Sequence, residues 1–418
     1  MPLNKFPSYE ELRKDSIMNN DEDNEGYSIL DIIEKPIRDN DIFLISWYPW
    51  TWKTLVSWMK FLQSPLPKLY LTYAHMLVAY TKEGLWTTWN IYGIDKWLIS
   101  NSTDGGDQTS DFKDKRKAWI KSIKEDSIWT TLFIDEAQDI PPEDIAKLSL
   151  KFSKVVICWD RDQAIYQDTY DESDFFHQYK EALHRYEPNL QTKRRIIGPY
   201  ELKKNYRNTK PVFDFAKCFH PDSRRIEDIK IMKQWWEKPE LRLWETNRMF
   251  DEVINFCINE IDSQNVVAII VWNKEDITEV KNTISKGLKE KLWDDYNDEL
   301  IQSYISTKSS RENEVQSENC MRASIIISSI YSMKWLEADD IIIWKIWWSE
   351  WWKNDSLSKN KYYVGFTRSR NNLIICQNNW RFWPYDVPEN LYKIKKRDKI
   401  EPTEVDEDEY DEYEDLPF

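Results

Sequence analysis

A chain of 418 residues is long enough for two or three domains with real cores. Its five cysteines (158, 218, 257, 320, 376) include no C-x-x-C pair and its four histidines are scattered, so neither a zinc ribbon, a disulfide framework nor a metal cluster is indicated. The net charge of −15 does not exclude a polyanion partner. Residues 401–418 carry −10 and residues 1–41 carry −6, which leaves +1 for 42–400, and a neutral body can hold a basic groove.

Residues 1–25 are polar and acidic and read as a loosely ordered lead-in. A short helix fits between Tyr27 and Asp41, followed by the apolar strand Ile42-Phe43-Leu44-Ile45 and then W-Y-P-W-T-W-K-T, residues 47–54. Thr54 to Leu62 is the helix expected to leave that stretch, and Lys68 to Thr72 a second strand, with Tyr73 at its end. Residues 84–127 are mixed and read as a small insertion. Trp129 to Phe133 is a strand running into I-D-E-A-Q-D (134–139), Pro141-Pro142 open a helix, and Val155 to Cys158 is another buried strand.

A second unit follows Gly198-Pro199, with strands at Val266–Val271, Ser324–Ile330, Ile341–Ile346 and Leu373–Cys376 and a polar insertion at 285–322. Alternating apolar strands and helices predict an α/β chain of parallel sheets covered by helices. The domains expected are 1–25, a lead-in; 26–200, a first unit; 201–395, a second; and 396–418, an acidic disordered tail suited to protein partners. No apolar run approaches the 18 residues of a membrane span and the start lacks an apolar signal segment, so a reducing cytoplasm is expected.

Lys53-Thr54 after a buried strand has the chemistry of a phosphate-binding loop, G-x-x-x-x-G-K-[ST]. In such a loop backbone N–H groups cradle phosphates, Lys reaches the β and γ oxygens, and Thr holds Mg²⁺. Trp47 and Trp52 stand where its two glycines belong, and indoles there would fill the phosphate site. Composition bears on this mismatch. The chain has 8 Gly and 23 Trp, whereas average usage predicts roughly 29 glycines. The surplus of one matches the deficit of the other, as it would if UGA codons that mean Gly had been translated as Trp. The alternative is a truly Trp-rich protein, which strains at Trp235-Trp236, Trp347-Trp348 and Trp351-Trp352, in polar stretches that suit turn residues.

Asp135-Glu136 close a strand about 80 residues after the loop, which in a parallel sheet brings them to the loop's end. Asp there can hold Mg²⁺ and Glu can orient and deprotonate a water. The same pair can also be a solvated strand end; Ala137-Gln138-Asp139 makes it specific.

With those residues in place the chain resembles UvrD/Rep-type superfamily 1 helicases over roughly 42–376. I-D-E-A-Q-D is similar to their Walker B motif, and W-D-R-D-Q-A-I-Y (159–166) to G-D-x-x-Q-x-I-Y. L-K-K-N-Y-R-N (202–208) is similar to N-Y-R, S-M-K-W-L-E-A-D (332–339) to H-x-x-K-G-L-E-x-D, and Y-V-G-F-T-R-S-R (363–370) to the last motif. Trp47, Trp50, Trp52, Trp159 and Trp335 all fall on family glycines.

The resemblance implies two RecA-like domains, ATP and Mg²⁺ as cofactors, and single-stranded nucleic acid, DNA in the first place, as partner. It implies a nucleotide cradle of Trp47, Tyr48, Pro49, Trp50, Thr51, Trp52, Lys53 and Thr54, with Thr54 and Asp135 toward the metal and Glu136 as base. Gln163 would sense the γ-phosphate, and Arg207 and Arg368 would neutralise the transferring phosphoryl. Tyr206 would stack on adenine, Glu337 would hold a ribose hydroxyl, and Tyr73 and Tyr166 would stack bases. Surface or core roles are the alternatives for each of these arginines and tyrosines. The chain departs from the pattern in three places: residues 1–62 contain no glutamine to read adenine, the insertions are small, and Tyr331 replaces the usual His. A nucleic-acid-responsive P-loop ATPase or binding module without unwinding activity, inactive if the loop indoles are genuine, is the alternative function.

Overall fold

Short runs of Val, Ile, Leu and Phe form the central strands, and both faces of each sheet are covered. Their sequences therefore read as continuous apolar runs rather than as alternation. The computed structural model describes residues 29–396 apart from 48–52, 74, 86–89, 104–111, 125–129, 161–174, 203, 221, 235, 245, 308, 335–337, 346–355 and 378–386.

Six strands make the first sheet: β1 (Asp41–Trp47), β2 (Lys68–Thr72), β3 (Ile91–Gly93), β4 (Thr131–Ile134), β5 (Lys154–Asp160) and β6 (Arg195–Leu202), in the order β3-β2-β4-β5-β1-β6. A two-stranded sheet, β7 (Lys204–Thr209) with β8 (Lys230–Lys233), follows. The second large sheet contains β9 (Glu240–Leu243), β10 (Val267–Val271), β11 (Ile301–Tyr304), β12 (Ile325–Ser329), β13 (Ala338–Trp344), β14 (Ser369–Gln377) and β15 (Lys393–Lys396). Its order is β11-β12-β10-β13-β14-β9-β15. Neighbours in both large sheets run parallel. The chain is thus an α/β protein with two parallel sheets, each covered by helices. The two stretches read as insertions each carry an edge strand, β3 in 84–127 and β11 in 285–322.

Strand periodicity sorts the core into three layers. Ile42, Leu44, Leu132, Ile134, Val155 and Ile157 face one cluster, while Phe43, Ile45, Tyr70, Phe133, Val156 and Cys158 face another. In the second sheet Val267, Ile269, Ile325, Ile327 and Ile342 face a third cluster. Ala268, Ile270, Ile326, Ile341 and Ile343 belong to the same cluster as Phe43 and Tyr70, so one apolar layer is shared by both sheets. Each fully buried Ile or Phe contributes about 1.5–3 kcal/mol relative to exposure.

Three local features position the elements around β1. Gly198 in β6 has φ +94°, and a Cβ there would lie 2.4 Å from the Leu44 carbonyl oxygen, so only glycine lets β6 close on β1. The helix Lys53–Gln63 buries Lys60, whose Nζ donates to the carbonyls of Ile32 and Lys35, both at 2.7 Å, closing the end of the helix Ile29–Glu34. Burial lowers that amine to about 8. In the second unit the helix Asp276–Leu292 ends at Trp293, which has φ 47°, ψ −115° and is 80% exposed. That backbone region suits glycine and strains any side chain.

Candidate functional site

β1 ends at Trp47, level with Asp160 of β5 on one side and Leu202 of β6 on the other. Residues 48–52, the body of the expected cradle, lie outside the described residues. Lys53 and Thr54 are the first residues of the helix that follows, and Thr54 is half-buried. β5 separates β1 from β4, so the carboxylates after β4 stand two strand spacings, about 10 Å, to the side of the loop. Through β5, Ile134 is level with Leu44, so Asp135 begins just below the end of β1.

Asp135 is fully buried. Its Oδ2 accepts from the Tyr70 hydroxyl at 2.9 Å and its Oδ1 from the Glu136 N–H at 3.0 Å. Burial, and then the charge of Asp135, push the Tyr70 phenol well above its ordinary value, so it stays a donor. Asp135 and Thr54 offer a carboxylate and a hydroxyl. That donor set fits Mg²⁺, which keeps several waters and takes one or two protein carboxylates beside phosphate oxygens.

Glu136 sits at φ 55°, ψ 43°, the left-handed region, where a non-glycine residue is held only by its surroundings. Part of that hold is Gln138, buried in the single 3₁₀ turn Ala137–Asp139. Its Nε2 donates to Glu136 Oε2, and its Oε1 accepts from the Asp160 N–H at 2.9 Å. Gln138 therefore ties the carboxylate to the end of β5, where W-D-R-D-Q begins. The resemblance instead implies Gln163 as the glutamine that senses the γ-phosphate. Gln163 and Tyr166 lie outside the described residues, as does Glu337.

From the second unit one side chain arrives at the same turn, and a second is bonded to its backbone. Lys334, after β12, places Nζ 2.6 Å from Asp139 Oδ1, and neither side chain is more than 1% exposed. Its carbonyl accepts from Arg368 Nη1, while Arg368 Nε donates to Val364 O at 3.0 Å. Arg368 is 3% exposed.

Arg207, on β7, is half-buried, and Asn205 and Asn208 organise the backbone around it. Asn205 Oδ1 accepts from the N–H groups of Arg207 (2.9 Å) and Asn208 (3.0 Å). Asn208 Nδ2 donates to the carbonyls of Thr367 (2.9 Å) and Ser369 (2.6 Å), on either side of Arg368. The two arginine segments are thereby held side by side. Tyr206 is half-buried against the shared apolar layer. Tyr73 is half-buried too, with the Arg116 guanidinium 6.0 Å from its ring centroid and already on that face. Arg116 in turn is held by Asp95 through two bonds, 2.8 and 3.1 Å.

Gln138, Asn208 and Lys334 all fall inside the quoted motifs, yet their partners lie 22 to 195 residues away and leave no local pattern. Among the described residues no group of three or more acids, His or Cys is arranged to hold a metal by itself. Nor is any helix among them long and apolar enough to cross a membrane.

No family model and no curated protein matches the chain. Solved structures similar to it include the C-terminal domain of a possible DNA helicase from Lactobacillus plantarum (16% identity, TM-score 0.32, 46% of this chain and 99% of that one). The arterivirus nonstructural protein 10 helicase is similar both with DNA (10% identity, TM-score 0.37, 84% of this chain and 62% of that one) and alone (11% identity, TM-score 0.34, 84% and 61%). The chain thus spans about three fifths of the arterivirus helicase.

Proposed function

We propose that this chain is an ATP-dependent motor on single-stranded nucleic acid, DNA in the first place, of the UvrD/Rep-type helicase kind. The observation that carries the reading is the convergence at one turn. Asp135 and Glu136 stand at the carboxyl end of the first sheet, and Lys334, with Arg368 on its carbonyl, reaches Asp139 of that turn from the second unit.

In this reading the loop after β1 binds the triphosphate, with Lys53 on its oxygens. Thr54 and Asp135 hold Mg²⁺, whose contribution is neutralisation of phosphate charge. Glu136, oriented by Gln138, takes the proton of the attacking water as the oxygen–phosphorus bond forms and ADP leaves. Arg207 and Arg368 neutralise charge developing on the transferred group. Because Arg368 and Lys334 belong to the second unit, hydrolysis changes what that unit is attached to, and alternate grip by the two units moves the strand.

The reading requires glycine at 47, 50 and 52, since indoles in the cradle leave no room for phosphates; 159 and 335 are the two further family-glycine positions that carry Trp. Expressed with Gly at those five positions, the chain is expected to hydrolyse ATP faster with single-stranded DNA. Glu136→Gln should lower turnover by about 10²–10⁴ while leaving ATP binding in place. A repaired chain whose turnover ignores the strand would overturn the motor. One observation favours a second reading, a binding module without turnover. As printed, Trp159 is 2% exposed and packs against Phe175 and Phe176 with ring centroids 5.4 and 6.1 Å away. UGG codons at these positions would decide for that module.

A further inference from the structure

A cleft of about 760 Å³ opens at the amino ends of β1 and β6, the opposite end of the first sheet from the phosphate loop. β1 is seven residues long, so the cleft lies on the order of 20 Å from the loop and cannot share its ligand. Five cations line it, Arg38, Lys180, Lys193, Arg194 and Arg195, against two acids, Asp39 and Asp41. In a chain of net charge −15 this local excess is of the opposite sign.

The acids are committed within the protein. Asp39 pairs with Lys154 at 3.1 Å, and Asp41, 1% exposed, accepts from Arg195 Nε at 2.9 Å and Nη2 at 2.8 Å. That fork fixes the Arg195 guanidinium at the start of β6 while leaving its side chain 54% exposed. Arg194 is spent on neutral partners, the carbonyls of Ser149 (2.9 Å) and Phe152 (2.6 Å), so its charge remains. Arg38 and Lys180 face the cleft from the loop before β1 and from the helix Phe175–Tyr186, and both are exposed. The cleft therefore combines cations fixed by the sheet with two adaptable ones across from them.

We propose that this cleft is a second contact for the nucleic-acid backbone, gripping phosphates of the strand, or of a duplex flanking it, away from the motor groove. Cations on three separate elements around an open groove suit a linear polyanion better than a small anion. Of the described residues lining it only Leu190 and Ile196 are apolar, which leaves little to seat the side chains of an acidic peptide. The inference rests on the nucleic-acid partner proposed above.

The test is anisotropy of a fluorescent oligothymidylate on the full chain without nucleotide, titrated with salt, so the state of the phosphate loop does not enter. R38Q/K180Q is expected to make the log–log salt dependence shallower by about 1.4, at roughly 0.7 per lost phosphate contact, and binding roughly 25-fold weaker in about 0.1 M salt. K286Q/K289Q, on the exposed face of the helix Asp276–Leu292, removes the same charge elsewhere and is expected to leave the slope in place. An unchanged slope in R38Q/K180Q, or an equal loss in K286Q/K289Q, overturns the cleft while the motor stands. Absence of any binding by the unaltered chain overturns both. A synthetic peptide of residues 401–418 that binds the unaltered chain but not R38Q/K180Q, with strand affinity equal in the two, assigns the cleft to acidic peptide and overturns the proposal as well.

Discussion

The ammonium of Lys334 lies 2.6 Å from Asp139 Oδ1, and the two side chains follow strands of different sheets and are both sealed from solvent. A buried ion pair adds little net stability, because desolvating both charges offsets their attraction, yet removing one partner strands the other. Such a pair sets register: it forms only in the arrangement that brings the two turns together.

Lys334→Met is accordingly expected to destabilise the protein by about 3–5 kcal/mol, and K334M/D139N to recover most of that. Thermal unfolding of the two variants against the parent measures it. A single variant that melts with the parent would mean the pair is not buried in solution.

Gln138→Leu removes the amide that joins Glu136 to Asp160 and leaves the Asp160 N–H buried without its acceptor. An unsatisfied buried donor costs about 1–3 kcal/mol. Turnover in the glycine-repaired chain should fall along with the melting midpoint, because Glu136 then loses its orienting partner. Full turnover in this variant would exclude Gln138 as a positioning residue.

Arg368→Lys keeps a positive charge but loses the planar fork that reaches Val364 and Lys334. On the proposed function Arg368 is an arginine finger, and loss of one lowers phosphoryl transfer by about 10³–10⁵. The variant should therefore retain nucleotide binding, read by a fluorescent ATP analogue, and lose strand-stimulated hydrolysis.

Asp340, fully buried in β13, accepts from Asn372 N–H (3.0 Å) and Nδ2 (2.7 Å). Burial raises its carboxyl above the ordinary value of 3.8, and the neighbouring Glu260 raises it further. For an acid whose folded value is raised, the protonated form is favoured in the fold. Stability is then greatest at low pH and declines as pH climbs past 3.8, until the raised value is passed. Asp340→Asn should flatten that decline and, if the gain is about 1 kcal/mol, lift the midpoint at alkaline pH by roughly 1 °C for 418 residues melting together. Parallel pH–melting curves for variant and parent would contradict it.

Trp293→Gly should raise the midpoint, since an exposed indole contributes little and its backbone angles cost of order 1–3 kcal/mol in a residue with a Cβ. Differential scanning calorimetry reads the shift, and a lower midpoint would show the indole to be at home there.

The central strands were legible because burial on both faces writes itself as unbroken apolar runs, as in Ile341–Ile343 or Val155–Cys158. Strands at the edge, or next to it, were not. Lys393–Lys396 at the edge reads K-I-K-K and its inner neighbour Glu240–Leu243 reads E-L-R-L, sequences that a solvated loop would also allow. The same holds for β3 and β11, which lie in stretches read as insertions. Asp135 and Glu136 could be placed at the end of a strand because the chemistry and the strand end are adjacent in the chain. The Lys334–Asp139 and Asn208–Thr367 contacts could not, since residues 159 to 195 positions apart share no periodicity. Trp293 was not singled out either: positive φ is a property of the turn and not of the letter that occupies it.

The apolar layer common to both sheets has a consequence for how the molecule can move and melt. Each half keeps a cluster of its own, yet opening the cluster that runs through both would wet apolar side chains of each. Relative motion is then confined to sliding of packed surfaces by small distances, and on heating the two halves should give way together, in one transition rather than two.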